Sequence, residues 1–371
     1  MERRLILPIN DVIRMTSVSD SILCSILLTN EKTASWLMNH YIFMWFRKSE
    51  RFQNTYALSI MPLTFCLDYA RDCVYLADEK YTHDDIILRF NSYVEFLITS
   101  IEDGWYVVSA LDQFYLRKQG KHFLHTSLIY GYDAERKVFY VRDHFDRGKF
   151  SCLLLSYEDL RKSFESVIAL NMLNSDMYVY QSTRYRLKAD EEIDKIYDAI
   201  GPYTEMYKRE IMYALSDMYN SFPIHLGQQN YSHRIIAYET SRHGVESYNG
   251  IIDYLQKICC DNIEIDLRIF TQIRDHKNLM ISRIEYWSYI GIIRKDETFE
   301  LLTERYKEIY RWANICLSLA IKYNVKFDNE ILCRITKYLT QIIGVEQSLI
   351  KRMLQLFSKE FDYQTKEYII L

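Results

Sequence analysis

Glycine and proline are scarce in this chain, at 10 and 4 of 371 residues. So few breakers leave little room for a flexible linker or a low-complexity segment and favour helices. No two of the 8 cysteines have CxxC spacing, and the adjacent pair Cys259-Cys260 is a poor metal signal by itself. The opening MERRLILPIN is basic but has no apolar region long enough for a secretory leader, so reduced thiols in a cytoplasmic protein are expected. No run approaches the roughly 18–20 apolar residues of a membrane span. Neither charge sign dominates, since the net charge is −4, and no basic footprint for nucleic acid or anionic membrane stands out. What the chain does have is aromatic mass, with 32 Tyr and 18 Phe.

The stretch from Gly120 to Phe145, GKHFLHTSLIYGYDAERKVFYVRDHF, concentrates the chemistry. Two runs rich in β-branched and aromatic residues flank the charged Asp133-Ala-Glu-Arg, which predicts a hairpin. A register centred near Ala134 sets His125 opposite Asp143, near enough for the carboxylate to orient the imidazole. Base and orienter of a nucleophile–base–orienter arrangement are thus expected in one hairpin. A solvated His and Asp at the two ends of an ordinary hairpin is the competing reading.

Before the hairpin, Ser17, Ser19 and Asp20 are candidate caps for a short helix over 19–29 that carries Cys24. Its first N–H groups would favour a thiolate or an oxyanion, helped by the Asn10 to Ser17 approach. Cys24 lies one turn inside that helix, whereas Ser19 is nearer its start. Residues 33–48 read as helix or helix-to-strand, 56–63 as strand, 82–103 as one helical element, and Trp105 to Leu111 as a strand running into Asp112-Gln-Phe-Tyr. Phe150 to Leu155 adds a strand, Tyr157 to Ala169 a helix, and Met177 to Tyr180 a segment that closes the sheet. Helices first and a mainly antiparallel sheet later is an α+β order, with the thiol about 100 residues before the imidazole, as in papain-like cysteine enzymes.

The runs Asp112-Gln-Phe-Tyr-Leu, His125-Thr-Ser-Leu-Ile-Tyr-Gly-Tyr-Asp133 and Phe139-Tyr-Val-Arg-Asp143 resemble the N-terminal domain of butirosin-biosynthesis-protein-H-type proteins, and the pattern is also similar to bacteriocin-processing cysteine peptidases. The segment from Ile273 to Tyr286 resembles the helical extension of many such relatives. The resemblance covers residues 1–180 and implies a papain-like domain. It implies an acyltransferase of secondary-metabolite biosynthesis that makes an amide from a carrier-bound acyl or peptidyl thioester and a small-molecule amine. His125 would be the general base, Asp143 its orienter and Cys24 the nucleophile, with Ser19 the alternative. No bound cofactor is implied; the phosphopantetheine arm belongs to the partner carrier protein. Lys118, Lys121, Arg136 and Lys137 are the nearest basic residues for such a partner. A cysteine peptidase or amidase, and a noncatalytic scaffold that has lost its nucleophile, are the rival functions.

From about Thr183 strand signals cease, and residues 181–371 are expected to form an all-α bundle. Helices are expected at 191–200, 206–219, 233–255, 265–293, 301–321, 327–343 and 346–357. Arg283 with Glu285, His276 with Lys277, and His233 with Tyr238 are candidate pocket residues there, against a reading as surface or helix–helix contacts.

Overall fold

The computed structural model describes residues 3–11, 18–49, 55–61, 73–118, 120–146, 149–170, 172, 181–221 and 242–359. Contacts divide the chain into one unit formed by Met1–Ala34 with Cys66–Ile196 and another formed by Ser35–Phe65 with Tyr197–Leu371. This division differs from a single break at 180/181 in two ways. The first unit continues past 180, and an early segment belongs with the C-terminal half.

The first unit is a mixed α/β domain built on an antiparallel sheet. In chain order it contains β1 (Arg4–Ile6) and α1 (Val18–Leu27), followed by α2 (Glu31–Asn39), which crosses into the second unit. After β2 (Phe43–Ser49) and β3 (Thr55–Met61), which belong to the second unit, come β4 (Leu76–Tyr81), α3 (His83–Phe90), α4 (Tyr93–Glu102), β5 (Tyr106–Asp112) and α5 (Gln113–Arg117). Then follow β6 (Leu124–Asp133), β7 (Val138–Asp146), β8 (Lys149–Ser156), α6 (Tyr157–Ala169) and β9 (Ser182–Leu187). The strand order is β4-β9-β5-β6-β7-β8, with β1 also paired to β6. β9 therefore corrects the expectation that strands end near 183: it lies between β4 and β5, with Val108 against Thr183 and Tyr81 against Ser182. The segment Met177 to Tyr180 lies outside the described residues.

Local chemistry explains where the helices start. The expected single element over 82–103 is two helices. Thr82 and Asp85 form a reciprocal capping box at α3, Asn91 ends it in the left-handed region at φ 60°, and Ser92 caps α4. Ser156 caps α6 by accepting from the Asp159 N–H. Alternation along the strands builds the core, because Val107, Leu111, Ile129, Val141 and Phe139 share one face with Phe96 and Leu97 of α4 and Leu160 and Phe164 of α6. The hairpin register shifts between Ile129 and Gly131, and Gly131 sits where a Cβ would meet the Leu5 carbonyl oxygen at 2.9 Å. This bulge changes which residues face each other at the far end of the hairpin.

The second unit is largely helical, with α7 (Asp190–Ile200) leading into it, then α8 (Glu205–Asn220), α9 (Ser247–Asp261), α10 (Leu267–Tyr289), α11 (Glu297–Lys326) and α12 (Asn329–Lys359). It is not all-α, since β2 pairs with β3 and with β10 (Arg242–His243) in a three-stranded sheet. The two helices expected at 327–343 and 346–357 are one, because Gly344 sits inside α12 without breaking it. The expected start of a helix at His233, and the pair His233 with Tyr238, lie outside the described residues. Along α10, His276, Lys277 and Arg283 are buried. Arg283 donates from Nε to the Met38 carbonyl at 2.7 Å and from its other end to the His40 carbonyl, so it meets carbonyl groups around the C-terminus of α2. Lys277 bonds Glu346 and the His276 Nδ1, while His276 Nε2 donates to the Ile42 carbonyl at 2.8 Å. These side chains satisfy backbone and helix–helix contacts.

Candidate acid–base site

The β6–β7 ladder places Leu128 against Arg142. One step further sets Asp143 beside Ser127 and leaves His125 on the diagonal, two residues from the expected facing position. Diagonal neighbours on one sheet face remain within reach of long side chains. The imidazole uses that reach: His125 Nδ1 lies 2.9 Å from Asp143 Oδ2. The same oxygen accepts from Ser127 Oγ at 2.8 Å and Gln113 Nε2 at 3.0 Å, and Oδ1 accepts the His144 N–H at 2.6 Å. The Arg117 guanidinium in turn donates to Gln113 Oε1 at 3.0 Å.

Asp143 is wholly buried, while a third of the His125 side chain (33%) is exposed. The carboxylate accepts only, so Nδ1 carries the proton and Nε2 is left as a lone-pair acceptor. Among the described residues, Asp143 is the one hydrogen-bond partner of the His125 ring. The ring is thus held at Nδ1 by a buried carboxylate and is partly exposed.

Among the described residues no hydrogen bond joins the His125 ring to Cys24, the thiol expected to complete the site. Cys24 is fully buried in α1, and burial, reinforced by Asp20 and Cys73, pushes its thiol well above the ordinary range. Its thiolate is thereby disfavoured rather than prepared. The chain leading into α1 is tied to that helix by the Asn10 N–H on the Ser25 carbonyl at 3.0 Å. That lead-in accepts the Tyr106 hydroxyl at the Pro8 carbonyl and the Arg142 guanidinium at Asp11. Tyr106 and Arg142 alternate with Val107 and Asp143, so the lead-in lies on the sheet face opposite the one carrying Leu111 and its cross-strand partner His125. Ser19 is half-buried in the first turn of α1 and makes no hydrogen bond to His125. Residues 12–17, the rest of the expected oxyanion approach, lie outside the described residues.

A second imidazole–carboxylate pair was not anticipated. His122 Nδ1 lies 2.7 Å from Oδ2 of Asp112, the residue that caps α5, and Asp112 is as fully buried as Asp143. The signal was present in Gly120-Lys-His-Phe-Leu-His, two histidines three apart, and in an Asp that ends a strand. Of the basic residues near the hairpin, Lys118 is engaged with Asp159 at 3.0 Å. Among the described residues no cluster of three or more His, Cys, Asp or Glu side chains could hold a metal, and no helix is long and apolar enough to cross a membrane.

No protein-family model and no curated protein matches this chain, so the site stands on its own geometry.

Proposed function

We propose that the first unit is a papain-related acyl-transfer domain that forms an amide from a carrier-bound acyl or peptidyl thioester and a small amine. The carrying observation is the His125–Asp143 pair, a partly exposed imidazole whose Nδ1 is held by a buried, fully bonded carboxylate. The residue pattern of the hairpin and the order of helix before sheet support the class of reaction. The burial of Cys24 favours a form of it without an acyl-enzyme. In that form His125 acts directly on the acceptor: Nε2 takes a proton from the amine as its nitrogen attacks the thioester carbon, and the carrier thiol leaves. Asp143 stabilises the imidazolium so formed.

The test is transfer from an acyl-loaded carrier protein to an amine, followed by intact mass. His125→Gln should slow transfer by about 10²–10⁴-fold, whereas Cys24→Ser should transfer at close to the wild-type rate. An acyl adduct on the wild-type chain that Cys24→Ser abolishes would restore the covalent route through the thiol. Cleavage of peptides without transfer from the carrier would instead assign a peptidase.

A further inference from the structure

The pair His122–Asp112 repeats the construction of His125–Asp143 in its essentials. In both, Nδ1 of a partly exposed imidazole meets Oδ2 of a wholly buried aspartate, with 43% of His122 and 33% of His125 exposed. In both, a serine hydroxyl and a backbone N–H occupy the remaining acceptor sites. Asp112 takes Ser166 Oγ at 2.9 Å and the Phe114 N–H at 3.0 Å, while Asp143 takes Ser127 Oγ and the His144 N–H. Asp112 therefore has partners for both oxygens without the imidazole, and the cap on α5 is complete without it. The His122 ring is further fixed by stacking on Phe114, with centroids 4.2 Å apart. Among the described residues, its Nε2 has no hydrogen-bond partner.

The two pairs share one short support. Asp112 and Gln113 are consecutive: the first bonds His122, and the second donates to Asp143 at 3.0 Å. The Gln113 N–H also bonds the Phe123 carbonyl at 2.9 Å, holding the chain between the two histidines against the start of α5. Three peptide units can set the Cα atoms of His122 and His125 no more than about 11 Å apart. Two partly exposed imidazoles, each held at Nδ1 by a buried carboxylate, thus stand at the same end of the sheet.

We propose that His122, held by Asp112, is a second catalytic acid–base residue of the same centre, the proton donor to the departing sulfur; this rests on the acyl-transfer reading above. The amine nitrogen forms the C–N bond as its proton passes to His125 Nε2. The C–S bond breaks with its electron pair on sulfur, and protonated His122 delivers its Nε2 proton there. The products are an amide and a free thiol. His125 has gained one proton and His122 has lost one, and exchange with water restores both.

Such a division gives kcat/KM a bell-shaped pH profile, with His125 required neutral and His122 required protonated. His122→Gln should lower kcat/KM toward an alkyl thioester by about 10²-fold and remove the alkaline limb while keeping the acid one. An aryl thioester of the same acyl group, whose thiolate leaves without a proton, should bring the variant back to near the wild-type rate. Unchanged transfer in His122→Gln would overturn the assignment. So would a loss that keeps the alkaline limb and that the aryl thioester does not repair, which is the behaviour of a residue that only holds the loop. A wild-type chain that transfers nothing from any thioester would overturn the acyl-transfer reading itself, an outcome visible before any variant is compared.

Discussion

Asp143 receives four hydrogen bonds on one buried carboxylate, one from His125 and three from donors that fix the carboxylate against that ring. An asparagine of the same size offers a single acceptor oxygen and two protons, so its amide group would face donors it cannot satisfy. Asp143→Asn is expected to cost about 2–4 kcal/mol in denaturant unfolding, since buried donors are left unpaired. It should also free the imidazole to adopt the wrong tautomer, lowering transfer by about 10²–10⁴-fold. The ¹⁵N shifts of the His125 ring report that tautomer directly, and a ring still protonated at Nδ1 alone would contradict the role given to Asp143. At this scale the sequence was informative about residue types and silent about their supports. The His125–Asp143 pair could be read from alternation. Ser127 could not, because the bulge after Ile129 is a one-residue event that side-chain periodicity does not register, and Gln113 could not, because its contact with Asp143 joins α5 to the hairpin 30 residues away. Cys24 was open for a related reason: a cysteine on an apolar helix face is read as a nucleophile or as packing from the same letters, and its burial disfavours the thiolate.

Among the elements, α10 departs furthest from its expected role. Its Lys277 occupies a position on the apolar stripe, four residues after Ile273 and three before Met280, where a surface charge would not be drawn. The ammonium is wholly buried and bonded to Glu346 of α12, and the Tyr248 hydroxyl donates to the other carboxylate oxygen at 2.6 Å. Burial lowers the Lys277 pKa while Glu346 works against that shift. Removing only the acid leaves an uncompensated buried cation, so Glu346→Ala should destabilise by about 3–5 kcal/mol. Replacing both charges, as Lys277→Met with Glu346→Leu, should recover most of that loss, because the desolvation of two ions disappears with them. Urea unfolding of the two variants beside wild type checks the pair; a double variant no better than the single one would mean that the ions do more than offset each other. The stripe was legible as a stripe. That a lysine on it is paired depends on a residue 69 positions away, which no local pattern reveals.

The whole molecule is less divisible along the sequence than its composition suggested. β2 joins the second unit through pairing with β10, Phe46 against Arg242, a contact spanning most of the chain, and such long-range pairing leaves no mark on local periodicity. The C-terminal unit also carries histidines that burial holds as neutral rings, His40 and His276 buried and His243 half-buried, and these contribute to how the molecule responds to acid. His40 donates from Nδ1 to the Trp36 carbonyl at 2.6 Å and stacks on the Trp36 ring; burial lowers its pKa to about 3. His276 is lowered well below its ordinary value by burial and then by Lys277, and His243 falls to about 4 through burial. Each group has a folded pKa below its unfolded value, so folding is most favoured where the ring is neutral in both states. Its share of stability is complete above about pH 6.5 and is lost as pH falls toward the folded value. For the fully buried His40 and His276 the slope is about 1.4 kcal/mol per pH unit for each ring once the unfolded chain is protonated. Unfolding free energy measured between pH 7 and pH 4 should therefore drop steeply below 6.5, and His40→Gln should flatten the fall by about one proton's worth. Equal slopes in wild type and His40→Gln would show that the His40 ring protonates in the folded chain as readily as in the unfolded one, contrary to its burial against Trp36.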